Sequence, residues 1–278
     1  MPFIVATFYH FFDFPDFADK RTPLLAELEH LGIKGSLLIA AEGINGTLAG
    51  TRKAIDAYLS YLKNTIVHGE FEHKESACDR QPFGRAKVRL KKEVISLGEP
   101  VNPKRQTGQY VTPREWNVLI ADPTTVVIDA RNSYEVHLGT FERAIDSKTR
   151  NFKQLPAFVR KNFDPAKHKR IATFCTGGIR CEKFSAWLLE QGFSEVYQLQ
   201  GGILKYLEET PPAASRWRGE CYVFDERIAV GHGLAPSQTA SMCSACGHAL
   251  TEEDREHLHY KENTACPYCE NYKYDSKV

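Results

Sequence analysis

No apolar run in the sequence approaches membrane-spanning length. The opening residues, Met1-Pro2-Phe3-Ile4-Val5-Ala6-Thr7, lack the charged start of a secretory leader and run on into acidic and aromatic residues. Charge of one sign is missing too: 36 basic and 35 acidic residues leave a formal +1, so the total selects no polyanionic or membrane partner. There is no Gly-x-Gly-type phosphate loop after a strand, which argues against a resident flavin or nicotinamide. Nor is there a two-His-one-carboxylate set of the kind that holds non-haem iron. Cysteine is what the chain does have. Eight cysteines without a leader point to reduced thiols or metal ligands rather than a disulfide framework, and to a cytoplasmic protein with no membrane partner. An apolar content of 42% suffices for a packed core, and 278 residues suit two domains, or two and a small appendix.

The most informative stretch is Phe174-Cys175-Thr176-Gly177-Gly178-Ile179-Arg180-Cys181-Glu182-Lys183. Arg170 to Phe174 reads as a buried strand. Phe184, Ala186, Trp187, Leu188 and Leu189 recur at roughly helical spacing up to Gln191-Gly192, where glycine ends a helix. Cys175 therefore sits at the carboxyl end of a strand, in a glycine-bearing turn that opens a helix. There its thiolate would face free N–H groups of Thr176, Gly177, Gly178 and Ile179 and the positive end of the helix dipole, with Arg180 adding a cation. Such surroundings lower a cysteine from about 8.5 to 7 or below, as a nucleophile requires. Cys181 either takes part in this chemistry or packs at the helix start.

Taken in order, the chain first offers a β-α-β-β-α-β series, the order of a ferredoxin-like unit. Its expected members are a strand from Phe3 to Phe12, a helix capped by Thr22-Pro23 and running to Gly32, and a strand from Ser36 to Ala41. A tight turn at Glu42–Gly46 leads into Thr47–Ala49, followed by a helix from Thr51 to Lys63 and a closing strand from about Arg85 to Ile95. In that last strand Arg85, Lys87, Arg89 and Lys91 alternate with Ala86, Val88 and Leu90, giving one cationic face, and Lys92 extends it. A row of this kind suits a nucleic-acid backbone, or merely keeps a strand soluble. Gly98 to Pro103 has linker composition, and Thr112-Pro113 starts another helix. Alternating strands and helices then imply a mainly parallel sheet, in which Asp129, Arg131 and Glu135 are expected to form an ion-pair cluster. The units expected are 1–98, 99–217 and 218–278.

The last unit carries Cys243-x2-Cys246 and Cys266-x2-Cys269, 19 residues apart. Paired Cys-x2-Cys at this spacing predicts a tetrahedral structural zinc site, closed by four sulfurs. His248, His257 and His259 could substitute as ligands but are expected on the surface.

The Cys-x4-Arg loop is one residue shorter than the phosphatase loop and resembles that of rhodanese (sulfurtransferase) domains. Val126–Arg131 with Glu135, Gly139-Thr140-Phe141 with Ala144-Ile145, and Leu199-Gln200-Gly201-Gly202-Ile203 resemble the rest of that domain. Further strings, Ala41 to Thr47, Lys87 to Glu93, Glu115-Trp116-Asn117 and Gly219 to Asp225, resemble the rhodanese-domain tRNA uridine hydroxylases over almost the whole chain. That resemblance implies an N-terminal ferredoxin-like domain and a central rhodanese-like catalytic domain. It further implies oxygen-dependent formation of 5-hydroxyuridine at wobble position 34 of tRNA, with molecular oxygen as co-substrate and Cys175 essential. An anticodon loop offers splayed bases for stacking, for which Tyr110, Trp116, Phe141 and Tyr134 are candidates. The expected chemistry is addition of Cys175 to C6 of the ring, with Arg180 and loop N–H groups stabilising the negative oxygen and Cys181 as a second thiol. A persulfide sulfurtransferase acting on a tRNA base or a small acceptor is the alternative, and an RNA-binding adaptor without chemistry a third.

Overall fold

The structure is a computed structural model in which residues 2–269 are described; the end of the expected third unit lies outside them. The N-terminal part contains β1 (Phe3–Phe11), α1 (Phe17–His30), β2 (Lys34–Ala40), β3 (Gly43–Gly50), α2 (Arg52–Tyr61), β4 (His73–Cys78) and β5 (Ala86–Leu90). Its sheet has the order β4-β1-β3-β2-β5, the first four strands antiparallel and β5 parallel to β2. Both helices pack on one face, where Phe8, Leu24, Leu28, Leu37, Ile39, Ile44, Leu48 and Tyr58 make the core. Arg21 of α1 reaches the Val88 carbonyl on β5. The other sheet face is left for the rest of the chain and for solvent.

Two expectations in this part are corrected. The strand that closes the ferredoxin-like unit is β4, and the basic strand is a fifth, edge strand ending at Leu90 rather than Ile95. Strand β4 is mostly half-buried and polar, so no alternation marks it, whereas β5 alternates strongly. Helix α1 begins at Phe17, not at Thr22, and carries Pro23 inside it. Phe17 packs against the core and draws the preceding turn into the helix.

The central part contains β6 (Gln109–Val111), α3 (Pro113–Ala121), β7 (Val126–Asp129), α4 (Ser133–Val136), β8 (Gly139–Phe141) and β9 (Ile145–Asp146). It continues with α5 (Leu155–Asn162), β10 (Arg170–Phe174), α6 (Ile179–Glu190), β11 (Glu195–Leu199) and α7 (Gly202–Glu209). The sheet β6-β11-β10-β7-β9 is wholly parallel. Trp116, Phe141, Phe174, Tyr206 and Trp217 form one core layer, and Ile128, Ile171, Phe184, Trp187 and Leu188 the other. Thr112 caps α3 in a capping box with Glu115 and has Pro113 at the first helical position, as the sequence predicts.

After α7 come β12 (Trp217–Gly219), paired with β8, then β13 (Cys221–Tyr222) with β14 (Ala229–Val230), and β15 (Ser241–Met242) with β16 (Ala249–Leu250). A short α8 (Glu252–Glu256) follows. This last part touches both others. Arg227, held by Asp225, donates to Ser76 on β4 at 2.6 Å, while Asp254 accepts from His137 at 2.6 Å and from Tyr268 at 2.7 Å. The first two parts are clamped by Lys183 of α6, almost fully buried between Glu42 at 2.8 Å and Glu93 at 2.7 Å. No helix of the described residues is long and apolar enough to cross a membrane.

Candidate active site

Strand β10 ends at Phe174, so Cys175 leaves the centre of the sheet where α6 begins. The backbone N–H of Gly178 donates to its sulfur at 3.1 Å. Gly178 has φ +106°, and a Cβ there would lie 2.8 Å from the Tyr9 hydroxyl, so the turn needs glycine on both grounds. From below, Ile203 and Leu204 at the start of α7 donate N–H groups to the carbonyls of Cys175 and Thr176, each at 3.0 Å. Gly202 permits that approach, since a Cβ on it would fall 2.5 Å from the Cys175 carbonyl.

Arg180, in the first turn of α6, forms a two-pronged ion pair with Glu135 at 2.6 and 2.7 Å, and also donates to the Thr176 hydroxyl. Burial opposes ionisation of Glu135, but the Arg180 charge and hydrogen bonds hold its carboxyl below the usual range. This corrects the expected cluster. Arg131 pairs with Asp129 and takes only the backbone carbonyl of Glu135, while the Glu135 carboxylate belongs to the active loop. With both terminal nitrogens of its guanidinium on Glu135, Arg180 braces the loop and supplies charge beside Cys175.

Cys175 is fully buried, and burial opposes its ionisation. The Cys181 thiol, the Arg180 charge and the N–H groups of Cys181 and Gly178 outweigh that and lower it to about 6. Cys181 moves the opposite way: burial and the neighbouring Cys175 push its thiol well above the ordinary value. The two sulfurs thus divide the roles, one thiolate and one thiol that donates to it.

The mouth of the loop is covered by the N-terminal sheet, which no local sequence signal announces. Lys74 on β4 donates to the Gly177 carbonyl at 3.1 Å, and Tyr9 on β1 donates to Glu182 at 2.8 Å. Tyr110 also donates to Glu182, at 2.7 and 2.8 Å. Of the aromatic candidates, Trp116 and Phe141 are core residues with 0% and 1% exposure and cannot stack on a base. Tyr110 remains 48% exposed, and Tyr134 is half-buried against Tyr222.

Strand register places the basic row. Lys87 lies across from Ser36, Thr47, Thr7 and Lys74 in turn, and Arg89 across from Leu38, Asn45 and Tyr9. Paired residues share a sheet face, so Lys87 and Arg89 face the same side as Lys74 and Tyr9, about 14–19 Å away across three or four strand spacings. Arg85, Arg89, Lys91 and Lys92 are exposed and Lys87 half-buried, and none forms an ion pair among the described residues. The opposite face of this strand is less apolar than expected, because Leu90 is 45% exposed and only Val88 is buried.

In the C-terminal part, the sulfurs of Cys243, Cys246, Cys266 and Cys269 all lie within 4.8 Å of one another, a group able to hold a metal. His248, expected on the surface, is instead buried against His137 and Tyr268, whereas His257 and His259 are exposed.

Comparison with known proteins finds two family models. One, described as the UPF0176 acylphosphatase like domain, matches residues 3–94, and one described as the Rhodanese-like domain matches residues 112–209. A tRNA uridine(34) hydroxylase from a Picosynechococcus strain is 48% identical over 268 residues, which is 96% of this chain and 90% of that protein. Among solved structures, a rhodanese-related protein from Thermoplasma volcanium is similar over 37% of this chain and 95% of its own, at 21% identity and TM-score 0.31. An acylphosphatase from Coxiella burnetii is similar over 32% of this chain and 92% of its own, at 13% identity and TM-score 0.25.

Thiolate absorbance at 240 nm, taken as wild type minus Cys175→Ala, is expected to titrate with a midpoint of about 6. Cys181→Ala removes a donor to the sulfur and moves that midpoint upward. A wild-type midpoint above about 8 contradicts the geometry described.

Proposed function

This chain belongs to the tRNA uridine(34) hydroxylase family, and on that premise we propose that it converts the wobble uridine of tRNA to 5-hydroxyuridine with the sulfur of Cys175 as nucleophile and molecular oxygen as co-substrate. The observation that carries this reading is an acidified thiol in a dry loop between two domains. Such a thiol is ionised near neutral pH, yet shielded from adventitious oxidants until a base displaces what covers it.

In this reading the Cys175 thiolate forms a bond to C6 of uracil, and the C5=C6 electron pair moves toward the C4 carbonyl oxygen. The electron-rich C5 then reacts with oxygen to give a C5 hydroperoxide. Cys181 and a thiol supplied from solution reduce the peroxide to an alcohol and water and become a mixed disulfide, which a second solution thiol cleaves, releasing the disulfide and restoring Cys181. Loss of the C5 proton expels Cys175 and restores the double bond. The sum is uridine, oxygen and two thiols in, and 5-hydroxyuridine, water and one disulfide out. Gly178 and the rest of the loop, Thr176, Gly177 and Ile179, position the sulfur, with Arg180 braced by Glu135 behind them.

Arg85, Lys87, Arg89, Lys91 and Lys92 are proposed to hold phosphates of the anticodon arm. What supports this is that none forms an ion pair among the described residues, and that the register sets Lys87 and Arg89 on the sheet face that also carries Lys74 and Tyr9. The working units remain 1–98 for RNA, 99–217 for chemistry and 218–278 for the Cys-rich extension.

The four C-terminal cysteines are proposed to hold a structural zinc. Their sulfurs pair at 3.6 and 3.7 Å, against about 3.8 Å for a tetrahedron with zinc–sulfur bonds of about 2.3 Å. A four-sulfur site leaves no open position, so the metal would brace a segment too small to build a large core and take no part in the reaction.

Two measurements test this function. Nucleosides of tRNA from a deletion strain are expected to lack 5-hydroxyuridine, wild-type protein to restore it, and Cys175→Ala to fail; restoration by Cys175→Ala overturns the assignment. Purified protein is expected to contain about one zinc per chain, lost together with thermal stability in Cys266→Ser/Cys269→Ser. Metal-free protein of unchanged melting temperature contradicts the zinc.

A further inference from the structure

Next to the covered loop lies a cleft of about 300 Å³, lined by Tyr9, His10, Glu72, Lys74, Tyr110, Glu182, Gln200 and Gly201. It is large enough for a small planar ring and draws its walls from both domains. Its floor is rigid. Glu182, 6% exposed, accepts from Tyr9 and Tyr110 together, which fixes both rings. Tyr110 keeps nearly half its surface open above that bond, so a ring face is left for stacking.

Lys74 is the unusual member. Its ammonium donates to the Gly177 carbonyl at 3.1 Å, lies 5.8 Å from the centre of the Tyr9 ring, and has no ion-pair partner among the described residues. An ammonium has three donors, so two are free to reach a ligand. Lys74 also borders a second, small cavity that includes Thr7, Thr47 and the loop residue Thr176, so it lines both openings next to the loop. Burial lowers its affinity for a proton; the charges of Glu72, Cys175 and Glu182 raise it in part, and that of Lys205 lowers it further. Glu72 and Glu182 line the same cleft, but neither makes an ion pair with this half-buried ammonium among the described residues, so its free donors remain open to an anionic oxygen.

We propose that this cleft takes the uracil ring, with Tyr110 stacking on it and Lys74 as a catalytic residue that receives the negative charge developing on a ring carbonyl oxygen. The assignment rests on the addition step given above. When the sulfur bonds to C6, one unit of charge leaves Cys175 and arrives on the ring oxygen; no atom is oxidised in that step and no proton need move. A cation that bonds a neutral carbonyl weakly and an enolate oxygen strongly lowers the barrier rather than merely tightening binding. This gives the oxygen a partner that Arg180, occupied by Glu135, does not provide. It also explains why the N-terminal domain reaches to the loop: it brings the charge acceptor's counter-ion.

The test uses the full-length protein and tRNA carrying 5-fluorouridine at position 34, on which addition stalls as a covalent adduct. Adduct formation is followed by mass spectrometry, and affinity for ordinary tRNA is measured in parallel. Lys74→Met is expected to form the Cys175 adduct about 100-fold more slowly while tRNA affinity changes less than about threefold, and Lys74→Arg to recover at least part of the rate. An unchanged melting temperature and near-UV dichroism of each variant report an intact fold around the loop. Adduct formation by Lys74→Met at the wild-type rate, or a loss matched by equally weakened binding, overturns the role of Lys74 and leaves the nucleophile standing. Hydroxylation by wild type with no adduct ever formed overturns both the addition step and this assignment.

Discussion

The ion pair between Arg180 and Glu135 is the constraint on which the site depends. Both groups are almost wholly buried, where two charges are tolerated only if their hydrogen bonds are complete. Glu135 meets this demand through Arg180, the Thr176 hydroxyl and the Asn132 backbone N–H. Removing either partner would leave a bare charge beneath the loop, at a cost of about 3–5 kcal/mol. The pair therefore holds the loop in one shape, and its positive end lies on the side of Cys175. Burial would otherwise keep that sulfur protonated, and the local donors and cation reverse the outcome.

The first turn of α6 shows how the surroundings converge. Cys181 turns toward Cys175, Glu182 toward Tyr9 and Tyr110, and Lys183 toward Glu42 and Glu93. Successive helical residues point in different directions, so this turn can be satisfied only if it is enclosed on every side. Enclosure is what joins the N-terminal sheet to the catalytic loop. It lowers the local dielectric and strengthens each charge–charge contact around the sulfur.

That arrangement also explains what could be read in advance. The Cys-x4-Arg loop, its strand and its helix are contiguous in sequence, so their relation was legible from spacing. The Thr112-Pro113 cap was legible because Glu115 completes it, whereas Thr22-Pro23 misled because Phe17 had already committed the chain to a helix. Strand β4, an edge strand with half-buried polar residues, has no alternation to display, whereas the basic strand that follows it in sequence alternates and so reads as the closing strand. Lys74 and Tyr9 lie 103 and 173 residues from their partners Gly177 and Glu182, and nothing local encodes such contacts. The partner of Glu135 is hidden for the same reason: spacing suggests Arg131, which reaches its backbone carbonyl and its charge, while the fold brings Arg180 to the carboxylate itself.

The most direct test of an ionised Cys175 as nucleophile is the pH dependence of single-turnover hydroxylation with saturating tRNA. If the thiolate attacks, the rate falls about tenfold per pH unit below about 6 and is level from there to neutrality. A rate that keeps climbing through pH 8, or one indifferent to pH between 5 and 8, would contradict it.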